Sequence, residues 1–153
     1  MRGALAAGAA MFIAGLVVGG FAYAQKAAPQ WDVHVPDKVE IAQGTVGELS
    51  IGIAVDRGLV VSKDASVIVD FVAPPGVTIK KKRLQRPDAV DPQADAPRFA
   101  ASVRADTEGE HAVAVRVRFW VCGGKACRPV DVKRTAKIVV ASPAPPPSDA
   151  GID

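Results

Sequence analysis

Two cysteines, two histidines and two methionines are all that the 153 residues offer of the side chains that most often hold metals or carry covalent chemistry. Met1 and Met11 are the methionines, so a methionine-rich copper site is excluded from everything that follows them. The imidazoles, His34 and His111, are far from each other and from both cysteines. A closed tetrahedral metal site needs more ligands than the sequence gathers, so a metal is the least expected use of the two cysteines. The aspartates Asp64, Asp70, Asp88, Asp91 and Asp95 are scattered rather than set at calcium-loop spacing. No acidic pair can be placed across a substrate cleft. Ser50, Ser62, Ser66 and Ser102 occur in no nucleophile-elbow context, and Gly44, Gly47, Gly52 and Gly58 do not form a phosphate-binding loop. Aromatics are 5% of the chain, without the basic interleaving of a nucleic-acid surface, and a formal charge of +3 is too small to argue for one. No organic cofactor and no nucleic acid is expected.

What is present begins with an export signal. Arg2 precedes an apolar run from Ala4 to Phe21, and Ala22-Tyr23-Ala24 is a small-x-small cleavage site before Gln25. Residues 1–24 are read as a signal peptide cleaved after Ala24, with a retained N-terminal anchor as the alternative, because the run has nearly the length of a span. Gly15, Gly19 and Gly20 weaken it as a helix. Either way the rest of the chain is expected to be translocated, into a compartment that permits disulfides. Residues 25–30 are expected to be a flexible lead-in, and the proline-rich residues 142–153 a disordered tail. Residues 31–141 remain for one domain with a modest core.

That domain reads as strands. Val, Ile and Phe recur at period two between Gly, Pro and Asp punctuation, over Trp31–Val35, Glu48–Asp56, Ser66–Val72, Val77–Lys82, Arg98–Ala105, Glu110–Val121 and Val130–Val140. No helical apolar stripe appears after residue 24. Residues 87–97 are expected to be a long surface loop. Short strands in this number and length predict an all-β antiparallel sandwich.

The clearest strand has Val113, Val115, Val117, Phe119 and Val121 on one face, against Arg116, Arg118 and Trp120. The last one puts Val130, Val132, Ala136, Ile138 and Val140 inside; Arg134 breaks that row and is expected at a bulge or the sheet end. Cys122-Gly123-Gly124-Lys125-Ala126-Cys127 between them predicts a tight hairpin. Parity puts Cys122 on the Trp120 face, so both sulfurs are expected at the hairpin mouth, within disulfide range. Three readings stay open at this point: a permanent structural bond, a pair that exchanges with other thiols, and a metal site. A six-residue ring is a weak staple, about 2 kcal/mol. Lys125 and Arg128 could stabilise a thiolate, and Trp120 could shield the sulfurs or contact a partner.

The segment Phe119-Trp120-Val121-Cys122-Gly123-Gly124-Lys125-Ala126-Cys127-Arg128-Pro129-Val130 resembles the signature of the N-terminal periplasmic domain of the DsbD family of thiol:disulfide interchange proteins. Pro74-Pro75-Gly76-Val77 resembles that family's turn before a strand, and Gly109 to Phe119 its strand entering the first cysteine. The resemblance covers roughly residues 40–141. It implies an immunoglobulin-like sandwich whose cysteines, here Cys122 and Cys127, take electrons from a membrane partner and reduce thioredoxin-fold periplasmic proteins. It implies that Cys127 is the one joined to the partner. The family's mobile cap loop has no residue-by-residue match here. The family's membrane and thioredoxin-like domains are not found in these residues, so the resemblance implies a membrane electron donor in trans.

The remaining features read as structural. Lys80-Lys81-Lys82-Arg83 with Arg86 is expected to be a solvated strand end that discourages edge pairing. His34 and His111 read as edge histidines, with His111 capping the end of the core. Trp31 reads as a packing aromatic.

Overall fold

The computed structural model describes residues 28–142. The expected leader, residues 25–27 of the lead-in and the tail beyond Ser142 lie outside the described residues. Ten strands follow one another: β1 (Trp31–His34), β2 (Lys38–Ala42), β3 (Val46–Val55), β4 (Val60–Val61), β5 (Ile68–Val72), β6 (Val77–Ile79), β7 (Arg83–Gln85), β8 (Arg98–Ala105), β9 (Gly109–Gly123) and β10 (Ala126–Ala141). Among the described residues the only helical piece is a 3-10 turn at Arg86–Asp88.

The strands form two sheets in a broadly sandwich-like all-β fold. One has the order β1-β3-β8-β6; the other runs β2-β10-β9-β5-β7, with β4 also pairing β9. Period-two alternation generates this arrangement, because each sheet turns one apolar row inward. Val113, Val115, Val117, Phe119 and Val121 of β9 are buried, as are Val130, Val132, Ala136, Ile138 and Val140 of β10. Leu49, Ile51 and Ile53 of β3 and Phe99, Ala101 and Val103 of β8 face them. Phe119 lies near the end of this core, edge-on to Trp31 of β1 at 6.0 Å between ring centroids.

Several expectations are corrected. The sandwich is not wholly antiparallel: β2, absent from the expected strands, pairs parallel with the end of β10, from Lys137↔Lys38 to Ala141↔Ala42. Val39 and Ile41 of β2 alternate with the exposed Lys38 and Glu40, but over five residues with only Ile41 fully buried the pattern is too short to stand out. The expected strand Val77–Lys82 ends at Ile79, and a separate strand in the other sheet begins only at Arg83. β6 pairs β8, the lysines cross between the sheets, and β7 pairs β5. The crossing leaves Lys80, Lys81 and Lys82 in water while Ile79 and Leu84 reach the core on either side. The expected loop 87–97 opens on the 3-10 turn and buries Ala89.

Arg134 is at neither a bulge nor a sheet end. The β9–β10 register runs unbroken through Arg134↔Val115. The side chain occupies an inward position by parity yet is exposed, its guanidinium 3.8 Å from Asp32 of the opposite sheet. Pro74-Pro75-Gly76-Val77 is the expected turn. The Val77 amide donates to the Pro74 carbonyl at 3.2 Å, and Gly76 has φ 86, the left-handed conformation that glycine adopts without strain. His111 is a satisfied edge histidine, with Nε2 2.9 Å from the Thr107 carbonyl.

Phe119 is 2% exposed at the junction of both sheets. Phe119→Ala is expected to lower the unfolding free energy by about 3–5 kcal/mol, read as a fall in the urea midpoint at unchanged m-value.

Candidate functional site: the hairpin disulfide

β9 and β10 are joined by Gly124 and Lys125 alone. Gly123 pairs with Ala126 and Cys122 faces Cys127 directly. Gly124 has φ 59, which the reversal needs and a branched residue would resist. The register also decides how the cysteines face. The Lys137 amide leaves the ladder to donate to Asp37, so odd-numbered residues of β10 direct their amides away from β9. Cys122–Cys127 is therefore a non-hydrogen-bonded pair, the kind in which facing residues come closest; their Cα atoms are 4.0 Å apart and the disulfide is formed.

The same parity explains Pro129. Its missing amide would point to the outer edge of β10, so no ladder bond is lost. Trp120 faces Pro129 in the next row, and alternation puts both on the outer face with the sulfurs. Trp120 is 41% exposed. Together with Ser66, Ile68, Arg118 and Asp131, Trp120 and Pro129 line a shallow groove of about 530 Å³ beside the disulfide.

The two sulfurs differ in setting. Cys122 is half-buried in the interior of its sheet, flanked by Cys127 on one side and by β4 on the other, where Val60 faces it. Cys127 is exposed on β10. Among the described residues no strand covers the outer edge of β10 from residue 126 to 136, because β2 begins its pairing at Lys137.

Of the residues singled out in the sequence, Trp120, Cys122 and Cys127 are thus brought together. Lys125 forms the exposed turn itself. Arg128 alternates to the other face. It lines, with Trp31, Leu59, Val121 and Val130, a cleft of about 380 Å³ under the hairpin.

A residue whose role the sequence did not disclose is Arg86. It is no solvated member of a basic patch. Its Nη1 donates to the carbonyls of Pro92 (3.1 Å) and Ala94 (3.2 Å), and its Nη2 to those of Val61 (3.0 Å) and Ser62 (2.9 Å). One guanidinium so ties the loop after the 3-10 turn to β4, which flanks Cys122. Only the planar five-donor fork of arginine can serve that many carbonyls at once. The run of bases preceding it hid this role. The Pro and Asp-rich loop downstream, which offers unpaired carbonyls, was the available signal. Lys81 and Arg83 of the same run are also engaged, with Asp88 and Asp70, each at 2.5 Å.

The outer face of the larger sheet carries an ion-pair lattice next to the groove. Asp70 accepts from Arg83 Nε at 2.5 Å and Arg118 Nη2 at 2.6 Å, and Asp131 accepts from both Nε and Nη2 of Arg116. The Arg83 hydrogen bond, then that of Arg118, holds the Asp70 carboxyl below the usual carboxylate range against the opposing effect of desolvation. Arg116 does the same for Asp131.

No family model matches the chain, and no curated protein matches it. Solved structures resemble it only loosely. Murine CRIg has 9% identity and a TM-score of 0.43 over 74% of this chain and 99% of its own. The PapD-like domain 7 of human CEP192 has 8% identity and 0.43 over 84% and 96%. The CooA pilin subunit of enterotoxigenic Escherichia coli has 12% identity and 0.34 over 74% and 99%. At TM-scores below 0.5 these likenesses carry no argument about function.

Because Asp70 and Asp131 bind protons less readily folded than unfolded, their stabilisation is present above the ordinary aspartate range and disappears as pH falls through their lowered folded values. Urea midpoints should therefore respond little to these groups between about pH 7 and 5 and fall below about pH 4. Asp70→Asn should reduce that acid-side slope and cost about 1 kcal/mol at neutral pH, since Arg83 is well exposed and Arg118 only half-buried.

Proposed function

We propose that residues 31–141 act as an exported binding or structural module whose hairpin disulfide holds one tip of the sandwich in a single shape. The observation that carries this reading is the agreement between bond and sheet: the disulfide joins two residues that an unbroken ladder already sets face to face. The bond then acts locally, as a clamp on the turn that presents Trp120 and Pro129 beside their groove. The expected immunoglobulin-like topology and the periplasmic location belong to this proposal. Export is supported by the leader-like residues 1–24.

A second reading is thiol–disulfide exchange of the kind implied by the resemblance to the DsbD N-terminal domain. The observation that favours it is the exposure of Cys127 on an uncovered strand edge next to an exposed tryptophan. In that reading a reduced pair meets the disulfide of a thioredoxin-fold protein. The Cys127 thiolate attacks one partner sulfur, the partner's S–S bond breaks, and the electron pair leaves on the partner's second sulfur. Cys122 then displaces the partner from Cys127, restoring the internal disulfide and releasing the reduced partner. The electrons that reduce the pair come from a membrane donor in trans. Neither reading calls on a cofactor.

One measurement separates the two. A structural clamp is expected to have a reduction potential below about −300 mV, and Cys122→Ala and Cys127→Ala are expected to capture no protein while losing about 2 kcal/mol of stability. A potential in the range of the periplasmic thiol carriers, together with a mixed disulfide between the Cys122→Ala variant and a purified thioredoxin-fold protein, would replace the first reading with the second.

A further inference from the structure

We infer that Arg86 is a positioning residue that makes the disulfide one-sided, by fixing β4 as a wall against Cys122 so that an incoming thiolate reaches only the sulfur of Cys127. The inference rests on the exchange reading for its use. Its physical content concerns the disulfide alone.

β4 is two residues long and has little hold of its own. It keeps its place because both of its edges are occupied. On one edge Val60 faces Cys122 and Val61 faces Val121, and the amide of Ser62 donates to the Trp120 carbonyl at 2.8 Å. On the other, the Val61 amide donates to Asp95 at 2.8 Å, and Arg86 Nη2 gathers the carbonyls of Val61 and Ser62. The second pair of bonds from Arg86, to Pro92 and Ala94, anchors the loop from which Asp95 reaches β4. Arg86 Nε is buried without a partner among the described residues, a cost the arrangement tolerates for the sake of the other four bonds. Leu59, just before β4, lies against Gly123 so closely that a side chain at that position would collide with it. The wall thus stands on the Cys122 side of the hairpin mouth, and among the described residues no strand stands on the Cys127 side.

A thiolate must approach a disulfide at the sulfur it attacks, so access decides the regiochemistry. Attack at Cys127 forms a bond from the incoming sulfur to Cys127 Sγ, breaks the Cys127–Cys122 bond, and leaves the electron pair on Cys122 Sγ. Attack at Cys122 requires β4 to move aside, and Arg86 opposes that movement through four carbonyls in two segments.

The test uses reduced glutathione on the oxidised protein, quenched at short times with N-ethylmaleimide so that the released thiol is capped before the adduct migrates. Lys125 lies between the two cysteines, so trypsin separates them and mass spectrometry assigns each adduct. The native protein is expected to carry glutathione on Cys127 at least about tenfold over Cys122, a ratio governed by access. Arg86→Met should bring the two within about threefold, and Arg86→Lys, which keeps the charge but not the fork, should fall in between. Val60→Ala removes the side chain facing Cys122 while leaving the Arg86 bonds in place, so it should shift the ratio the same way even if Arg86→Met does not fold. Equal labelling of the native protein, labelling chiefly at Cys122, no adduct on either sulfur, or folded variants with an unchanged ratio would each overturn the inference. Failure to trap a thioredoxin-fold protein, with this ratio intact, would instead remove the exchange reading alone.

Discussion

The unbroken register of β9 against β10 is the constraint from which the rest of the molecule is organised. A two-residue turn leaves no freedom to slip, and a slip by one residue would exchange the faces of both strands. Held in register, the pair buries its valines and Phe119, turns Trp120 and Pro129 outward, and sets Cys122 opposite Cys127. Core, groove and disulfide are therefore consequences of one alignment. The rest of the larger sheet is added to it: β5 and β4 take successive parts of the other edge of β9, and β2 takes the far end of β10.

Polar groups finish what this alignment begins. None of the fully buried side chains among the described residues is polar or charged, so the interior contributes no directional bonds between side chains. Direction comes from the periphery. Arg86 collects carbonyls from two irregular segments that no ladder would otherwise hold, and Asp70 draws together three strands through Arg83 and Arg118. The first of these is worth more than the second, because it satisfies backbone groups partly withdrawn from water, whereas exposed ion pairs contribute little each.

How much of this was legible depended on whether a segment's partner lay near in sequence. β8 was bounded correctly, Arg98–Ala105, because its residues alternate strictly between buried and exposed. The hairpin and its facing cysteines were legible for the same reason, together with the glycine-bearing turn. β2 and β4 were not. Ile41 alone is fully buried in β2, and β4 has too few residues to show any period; both are strands because of distant hydrogen-bonding partners. Arg86 was lost for a related reason. Beside three lysines and Arg83 it looked like surface charge, and only the return of the chain through Pro92 and Ala94 gives it something to bind. The unequal surroundings of the two sulfurs follow from β4 and were hidden with it.

Pro129 has a consequence for the protein in a crowded compartment. The uncovered length of β10 would otherwise offer a continuous row of donors and acceptors on which another chain could crystallise strand by strand. A residue that cannot donate interrupts that row near its start, and the charges of Lys133 and Arg134 follow soon after. The same alignment that leaves Cys127 in the open thus also breaks the row of donors a neighbouring strand would need, so a reachable sulfur and an edge guarded against pairing share one strand.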